Sequence, residues 1–186
     1  VYSGGAIVGD LKTTAVYRDP SAWYNILLSK SGTTFTLYVN GVATSWSGTA
    51  PPSSVFINTA TPHYIGQYGA SGAYLDGYLT EINFIDGQAL TASSFGTTDT
   101  ATGAWIPMPY TGTYGANGFY LNFKDNTSTT TLGYDYSGNA NNWNTNNISL
   151  TSGSTYDSML DVPTPWVGYN TGDTTAVTRG NYPVLN

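Results

Sequence analysis

The residues able to do chemistry in this chain are few. One His and no Cys stand among its 186 residues, and Glu81 is its only Glu, so thiol nucleophiles, disulfides and thiolate metal sites are excluded together. Asp76 and Glu81 are the nearest carboxylates that could flank a scissile glycosidic bond, a reaction that needs the pair about 5 Å apart for retention or about 6.5–9.5 Å for inversion. Their odd spacing sends them to opposite faces of an unbroken strand. Only a bulge would let them share a cleft, and the reading from these residues is a protein that is not an enzyme. His63, between Pro62 and Tyr64, has no nucleophile-elbow pattern beside it and reads as a loop or surface histidine.

Two other groups of residues suggest binding. The run Asp135-Tyr136-Ser137-Gly138-Asn139-Ala140-Asn141-Asn142 is the most oxygen-rich loop of the chain. Hard cations take carboxylate and amide oxygens, which makes Asp135, Asn139 and Asn141 candidate calcium ligands. The same residue types build Asx turns and accept positive φ without any ion, so a purely structural turn is the competing reading and no other cofactor is expected. Tyr110, Tyr114 and Trp143 fall in loop-like stretches. Rings stack on the apolar faces of sugars while Asn and Asp bond the hydroxyls, and these three are the candidate glycan-binding residues. Packing into the core is their alternative use.

The composition agrees with a binding or scaffolding role. Five Lys and Arg against eleven Asp and Glu give a net charge of −6, which disfavours nucleic acid because such partners need a basic, counterion-releasing patch. Charged residues make up 9% of the chain and aromatics 15%, so neutral polar groups must carry solubility. No apolar run approaches the roughly 18 residues of a membrane span, and membrane insertion is not expected. Richness in Thr, Ser, Asn, Gly and Tyr favours strands and tight turns over helices.

The elements that would position these residues are strands. Thr34 to Val39, Asn40-Gly41 and Val42 to Trp46 form the clearest signal, since Asn-Gly accepts the two positive φ angles of a type I′ turn. A two-residue loop pairs Val39 with Val42, Leu37 with Thr44 and Phe35 with Trp46, on a face that alternation sends to the core. Ala22 to Lys30 reads as the preceding strand of a three-stranded meander. Tyr64 to Gln67 reads as a short strand, and Tyr74 to Ile85 as a long one with a bend at Gly77. Ala89 to Phe95 is the one helical stretch, with Thr91 as its cap. Residues 97–118 read as loop, and Phe119 to Phe123 as a further strand. Tyr68 to Leu75 and Tyr114 to Leu121 echo each other as two similar leads from loop into strand.

Trp23-Tyr24-Asn25-Ile26, Leu37 to Gly41, Tyr64-Ile65-Gly66, Tyr74 to Ile82 and Gln88-Ala89-Leu90 resemble, in order and spacing, the laminin G-like branch of the concanavalin A-like lectin/glucanase superfamily. Leu132 to Trp143 resembles the motif that usually opens such a domain, yet follows the others here, so we expect the sandwich to be completed from its C-terminal side. The resemblance implies an all-β, antiparallel jelly-roll β-sandwich spanning residues 1–162, with an extended tail over 163–186. The chain starts at Val1 in mid-pattern, which suggests missing N-terminal strands. With one Glu it cannot carry the catalytic Glu-x-Asp-x-x-Glu signature of the glucanases.

Tyr17 to Tyr24, Ile85 to Leu90, Tyr110 to Gly115, Gly118 to Leu121 and Arg179 to Tyr182 are further similar to laminin G-like proteins of tailed bacteriophages of aquatic bacteria. That likeness implies a virion surface or extracellular location, with adhesion to host or environmental glycans as the role. A purely structural capsid-decoration or fibre module, in homo-oligomeric contact or packed among other virion proteins, is the alternative.

Overall fold

The computed structural model describes residues 2–3, 6–7, 9–52, 57–67, 74–154 and 156–158. Its strands in chain order are β1 (Tyr2–Ser3), β2 (Ala6–Ile7), β3 (Asp10–Thr13), β4 (Ile26–Ser31), β5 (Thr34–Val39), β6 (Val42–Thr44), β7 (Trp46–Thr49), β8 (Ile82–Phe84), β9 (Gly96–Thr98), β10 (Trp105–Pro107) and β11 (Phe119–Leu121). Among the described residues, one short helix, α1 (Thr129–Leu132), and a 3₁₀ turn at Ala92–Ser94 complete the regular elements. Every ladder is antiparallel. The fold is all-β with almost no helix, consistent with the sandwich that the resemblance implies. The tail expected over 163–186 lies outside the described residues.

The meander forms as its sequence dictates. Asn40 and Gly41 take φ of 48° and 78°, and the turn pairs Val39 with Val42 and Leu37 with Thr44, while β4 pairs along all of β5. A side chain at position 41 would run into the Trp105 ring, so glycine there serves both the turn and the packing above it. The expected pairing of Phe35 with Trp46 does not form. Trp46 instead joins β7 and pairs with Thr13 of β3, because the chain leaves the meander after Thr44 to satisfy a second edge.

The face expected in the core is only half covered. Phe35 and Val39 on the central strand are buried, whereas Ile26 and Val42 beside them are 68% and 67% exposed. A three-stranded sheet buries its middle strand under its own neighbours, but its edges need a second layer. The described residues place none over these edges.

Four further expectations are corrected. Tyr74 to Ile85 is not one long strand: Glu81 takes φ of +53°, which breaks extended backbone, and only Ile82–Phe84 pairs. Tyr64 to Gln67 contributes a single bridge, Gln67 to Tyr74, in place of a strand. The 89–95 segment shortens to the 3₁₀ turn, and Thr91 makes no side-chain cap bond there. Residues 97–118, read as loop, contain the β9–β10 hairpin. The α-helix lies elsewhere, after Ser128, whose hydroxyl accepts the Thr131 N–H at 3.1 Å while the Thr131 hydroxyl accepts the Ser128 N–H at 3.1 Å, a reciprocal capping box.

Candidate functional site

The β8–β11 ladder is the divider on which the site is built. Its register sets Phe119 against Phe84, Tyr120 against Asn83 and Leu121 against Ile82. Successive side chains in a strand point to opposite faces, so Asn83 and Tyr120 share one face while Phe84 and Phe119 share the other. Leu121 anchors the ladder at 1% exposure. Each face opens on its own cleft.

On the first face lies a cleft of about 290 Å³ whose walls include Glu81, Asn83, Tyr110, Tyr114, Tyr120 and Tyr136. Tyr110 stacks on Phe95 with ring centroids 5.2 Å apart, and meets Tyr114 at 5.2 Å with ring planes at 88°. Tyr114 in turn lies nearly parallel to Tyr120 at 6.3 Å. The hydroxyl of Tyr120 donates to Glu81 Oε2. That of Tyr114 donates to Asn83 Oδ1 at 2.8 Å, and that of Tyr110 to the Thr113 carbonyl at 3.1 Å. The Asn83 amide donates to the Glu81 carbonyl at 3.1 Å and so holds the left-handed residue in place.

Glu81 is the electrostatic centre of this cleft. Burial pushes its carboxyl up, against the opposing pull of the Tyr120 hydroxyl and the Lys124 ammonium. Lys124 Nζ stands 3.5 Å from Oε1, and that oxygen, shielded from solvent, makes no hydrogen bond. Burial also pushes the Tyr114 hydroxyl up to about 12, helped by Tyr110, Asp135 and Glu81, and raises Tyr120 with Glu81 as its bonded neighbour. Both phenols stay protonated at neutral pH. Asp76, the expected partner of Glu81, is exposed and lines neither cleft.

On the opposite face lies a cleft of about 580 Å³. Its aromatic wall is continuous: Phe84 stacks on Phe119 at 5.4 Å, and Phe119 meets the half-buried Trp143 edge-on at 5.0 Å. Around this wall stand Asn58, Asn117, Asn141, Asn142 and His63. His63 Nδ1 is bonded to the Thr61 carbonyl at 2.6 Å. The three candidate rings are therefore divided: Tyr110 and Tyr114 meet in the first cleft, while Trp143 belongs to the second.

The oxygen-rich loop organises both. Asp135 Oδ1 accepts the N–H groups of Tyr120 and Ser137, each at 2.8 Å, and Oδ2 accepts the Ser137 hydroxyl at 2.8 Å and the Asn141 N–H at 2.9 Å. Burial alone would raise this carboxyl, but these bonds outweigh it and hold it below the usual carboxylate range. Asn139 donates its amide to the carbonyls of Gly115 and Gly118, and Asn141 to those of Ala116 and Gly118. The structure thus brings Asp135, Asn139 and Asn141 together as a latch that clamps the 114–118 turn. Among the described residues no group of three His, Cys, Asp or Glu side chains converges on a point.

The latch explains how one loop serves two faces. Tyr136 N–H bonds the Tyr120 carbonyl at 2.8 Å, which seats Tyr136 and Ser137 at the first cleft. Trp143 N–H bonds the Gly133 carbonyl at 2.8 Å, and a side chain at position 133 would collide with the Trp143 carbonyl. Glycine at that position lets the indole reach the second cleft. Asn83, Phe84, Phe119, Tyr120 and Tyr136 were not singled out as functional by sequence. The Phe119-to-Leu121 alternation held their signal, but its partner strand is 35 residues upstream with no turn between to reveal it.

A family model described as the concanavalin A-like lectin/glucanases superfamily matches residues 2–94. No curated protein and no solved structure matches the chain. The match ends at residue 94, after β8, so each cleft joins residues of the matched half to residues beyond it: the 108–114 segment, Tyr120 and Tyr136 in the first, and Asn117, Phe119 and Trp143 in the second.

Proposed function

The chain belongs to the concanavalin A-like lectin/glucanases superfamily, and from that premise we propose that it is a non-catalytic surface protein of a bacteriophage virion that adheres to host or environmental glycans. The fold is of a sugar-binding type, and domains of the laminin G kind are generally non-catalytic although the superfamily includes glucanases. The observation that carries the reading is the wall of Phe84, Phe119 and Trp143 in the larger cleft, rimmed by Asn117 and Asn142. Rings present an apolar platform for the C–H face of a sugar, and side-chain amides can both donate to and accept from its hydroxyls. A volume of about 580 Å³ falls within the ordinary range of small-ligand sites. In the smaller cleft Glu81 is the sole carboxylate of the lining, one short of the pair that glycoside hydrolysis uses. The virion assignment rests on the resemblance to tailed-phage proteins alone.

A glycan array tests adhesion. Multivalent display raises weak binding by orders of magnitude, so a reproducible subset of glycans is expected to light up, and Trp143→Ala to lose about tenfold or more on each by removing the stacking platform. An array blank at high density would sink the reading. The structural alternative has its own support in the exposed apolar edge residues Ile26, Leu28 and Val42 of the meander. Subunit packing would bury them, and sedimentation of the intact chain distinguishes a monomer from an assembly.

A further inference from the structure

The first cleft holds Tyr110 and Tyr114, but the observation that carries the glycan reading is the Trp143 wall of the second, and the chemistry of the first is of a different kind. Hydroxyl groups usually make a site able to donate as well as accept. Here the protons of Tyr110, Tyr114 and Tyr120 are all turned into the protein, toward Thr113, Asn83 and Glu81. Those three phenols therefore offer the space ring surface and oxygen lone pairs in place of O–H groups, and Glu81 is the carboxylate beneath them. Every one of these is electron-rich. The side chains lining the cleft include no Lys, Arg or His, and the ammonium of Lys124 approaches Glu81 from outside that lining.

Such a surface selects positive charge, and its geometry narrows the kind. Tyr110 and Tyr114 meet at 88° and form a corner, with Tyr120 stacked on Tyr114 and the exposed Tyr136 also in the lining. A cation over the face of an aromatic ring is held by the ring quadrupole with about 0.5–2 kcal/mol per contact, more as water is excluded. Glu81 Oε1 adds negative potential without an available hydrogen-bonding position, since it is shielded from solvent. A primary amine entering here would give up water from its N–H groups, while the Thr113 carbonyl, Asn83 Oδ1 and Glu81 Oε2 already accept the tyrosine protons. A quaternary ammonium has no N–H to satisfy and offers methyl groups to the rings. We propose that this cleft is a binding site for a quaternary ammonium group. At about 290 Å³ it is the size of a small head group and not of a sugar chain. The site is distinct from the Trp143 cleft, so its failure would leave the glycan reading standing, and the reverse holds too.

The test uses choline chloride as the probe and 3,3-dimethyl-1-butanol, its uncharged carbon isostere, as the control. Isothermal titration calorimetry on the whole chain is expected to show millimolar choline binding, with the isostere at least about tenfold weaker, as loss of the cation–π and carboxylate attraction requires. Glu81→Gln keeps the shape and removes the charge, and is expected to weaken choline about tenfold while leaving the isostere unchanged. Tyr136→Ala removes an exposed wall with little consequence for folding, and is expected to weaken both ligands. Equal affinity for choline and the isostere, undiminished choline binding by Glu81→Gln, or no heat from choline at all would each overturn the proposal.

Discussion

The two clefts share a two-stranded ladder and are opposites in chemistry. One face of β8–β11 carries Asn83 and Tyr120, and the space over it is narrow, walled by tyrosines and backed by the single carboxylate of Glu81. The other carries Phe84 and Phe119, and the space over that face is wider, lined by no carboxylate and rimmed by amides. The contrast needs no separate architecture. A strand has period two, so a polar residue flanked by aromatic ones, Asn83 beside Phe84 and Tyr120 beside Phe119, produces two sites back to back. The lesson is that a single short ladder can separate two recognition chemistries, provided a third segment holds both far walls in place.

That third segment is the Asp135 latch, and removing it gives the largest expected effect. Asp135→Ala strands the N–H groups of Tyr120, Ser137 and Asn141 together with the Ser137 hydroxyl. Stranded donors and lost charge-assisted bonds cost about 1–3 kcal/mol each where water cannot replace them. Because the site is only partly buried, a total loss of about 3 kcal/mol is expected in urea denaturation, with weakened ligand binding on both faces at once. Loss on one face with the other intact would show that the clefts do not share this support, and would break the comparison at its root.

Much of this arrangement was legible in the sequence, and the reason lies in range. The Asn40-Gly41 hairpin could be read because turn chemistry is local: two residues that tolerate positive φ set the register of β5 against β6. Alternation predicts a strand over Phe119 to Phe123, of which Phe119–Leu121 pairs and Phe123 turns to a φ of 54°. The oxygen-rich loop was recognised as a turn former, and Asp135, Asn139 and Asn141 do converge. Their target was invisible, because the carbonyls of Gly115 to Gly118 are backbone groups that carry no side-chain signature. The break at Glu81 was equally hidden. An acidic residue in a β-rich run looks like strand, and its left-handed φ is imposed by tertiary partners, Tyr120 and the Asn83 amide, that lie far off or appear only once the chain has turned. For the same reason the loop context of Tyr110, Tyr114 and Trp143 groups three rings that the ladder parts.

The two carboxylates extend the comparison into pH dependence. Asp135 is saturated with donors and its carboxyl is held low, whereas Glu81 is desolvated and its carboxyl is pushed up with Tyr120 and Lys124 as its facing groups. The folded state therefore takes up a proton on Glu81 more readily than the unfolded chain does. Its contribution to stability is fully present below the unfolded value of 4.5 and is lost as pH rises through the folded one. Asp135 behaves in the opposite sense, and its contribution is lost only as pH falls below 3.8 toward its folded value. Melting temperature is expected to rise by a few degrees on acidification from neutrality toward about pH 4.5, then to fall steeply. In Glu81→Gln the rise disappears and the fall remains. A rise that persists in that variant would assign it to another group and remove the electrostatic half of the contrast.

The smallest expected effect is that of calcium. A hard cation is held by oxygen atoms turned toward one point, and here the latch has its polarity the other way round. Both Asp135 oxygens are filled by four donors, and Asn139 and Asn141 turn their N–H₂ groups, not their oxygens, toward the 114–118 carbonyls. Seating an ion would require both amides to rotate, four donors to be displaced and the turn beneath to be released. Those losses fall on the same bonds that support both clefts, so binding strong enough to repay them would be visible as a concentration-dependent rise in melting temperature. The expectation is no shift between millimolar calcium and chelator. A rise of several degrees would mean that the loop exchanges its internal donors for an ion, and the two clefts would then be supported by a metal rather than by the hydrogen bonds of Asp135.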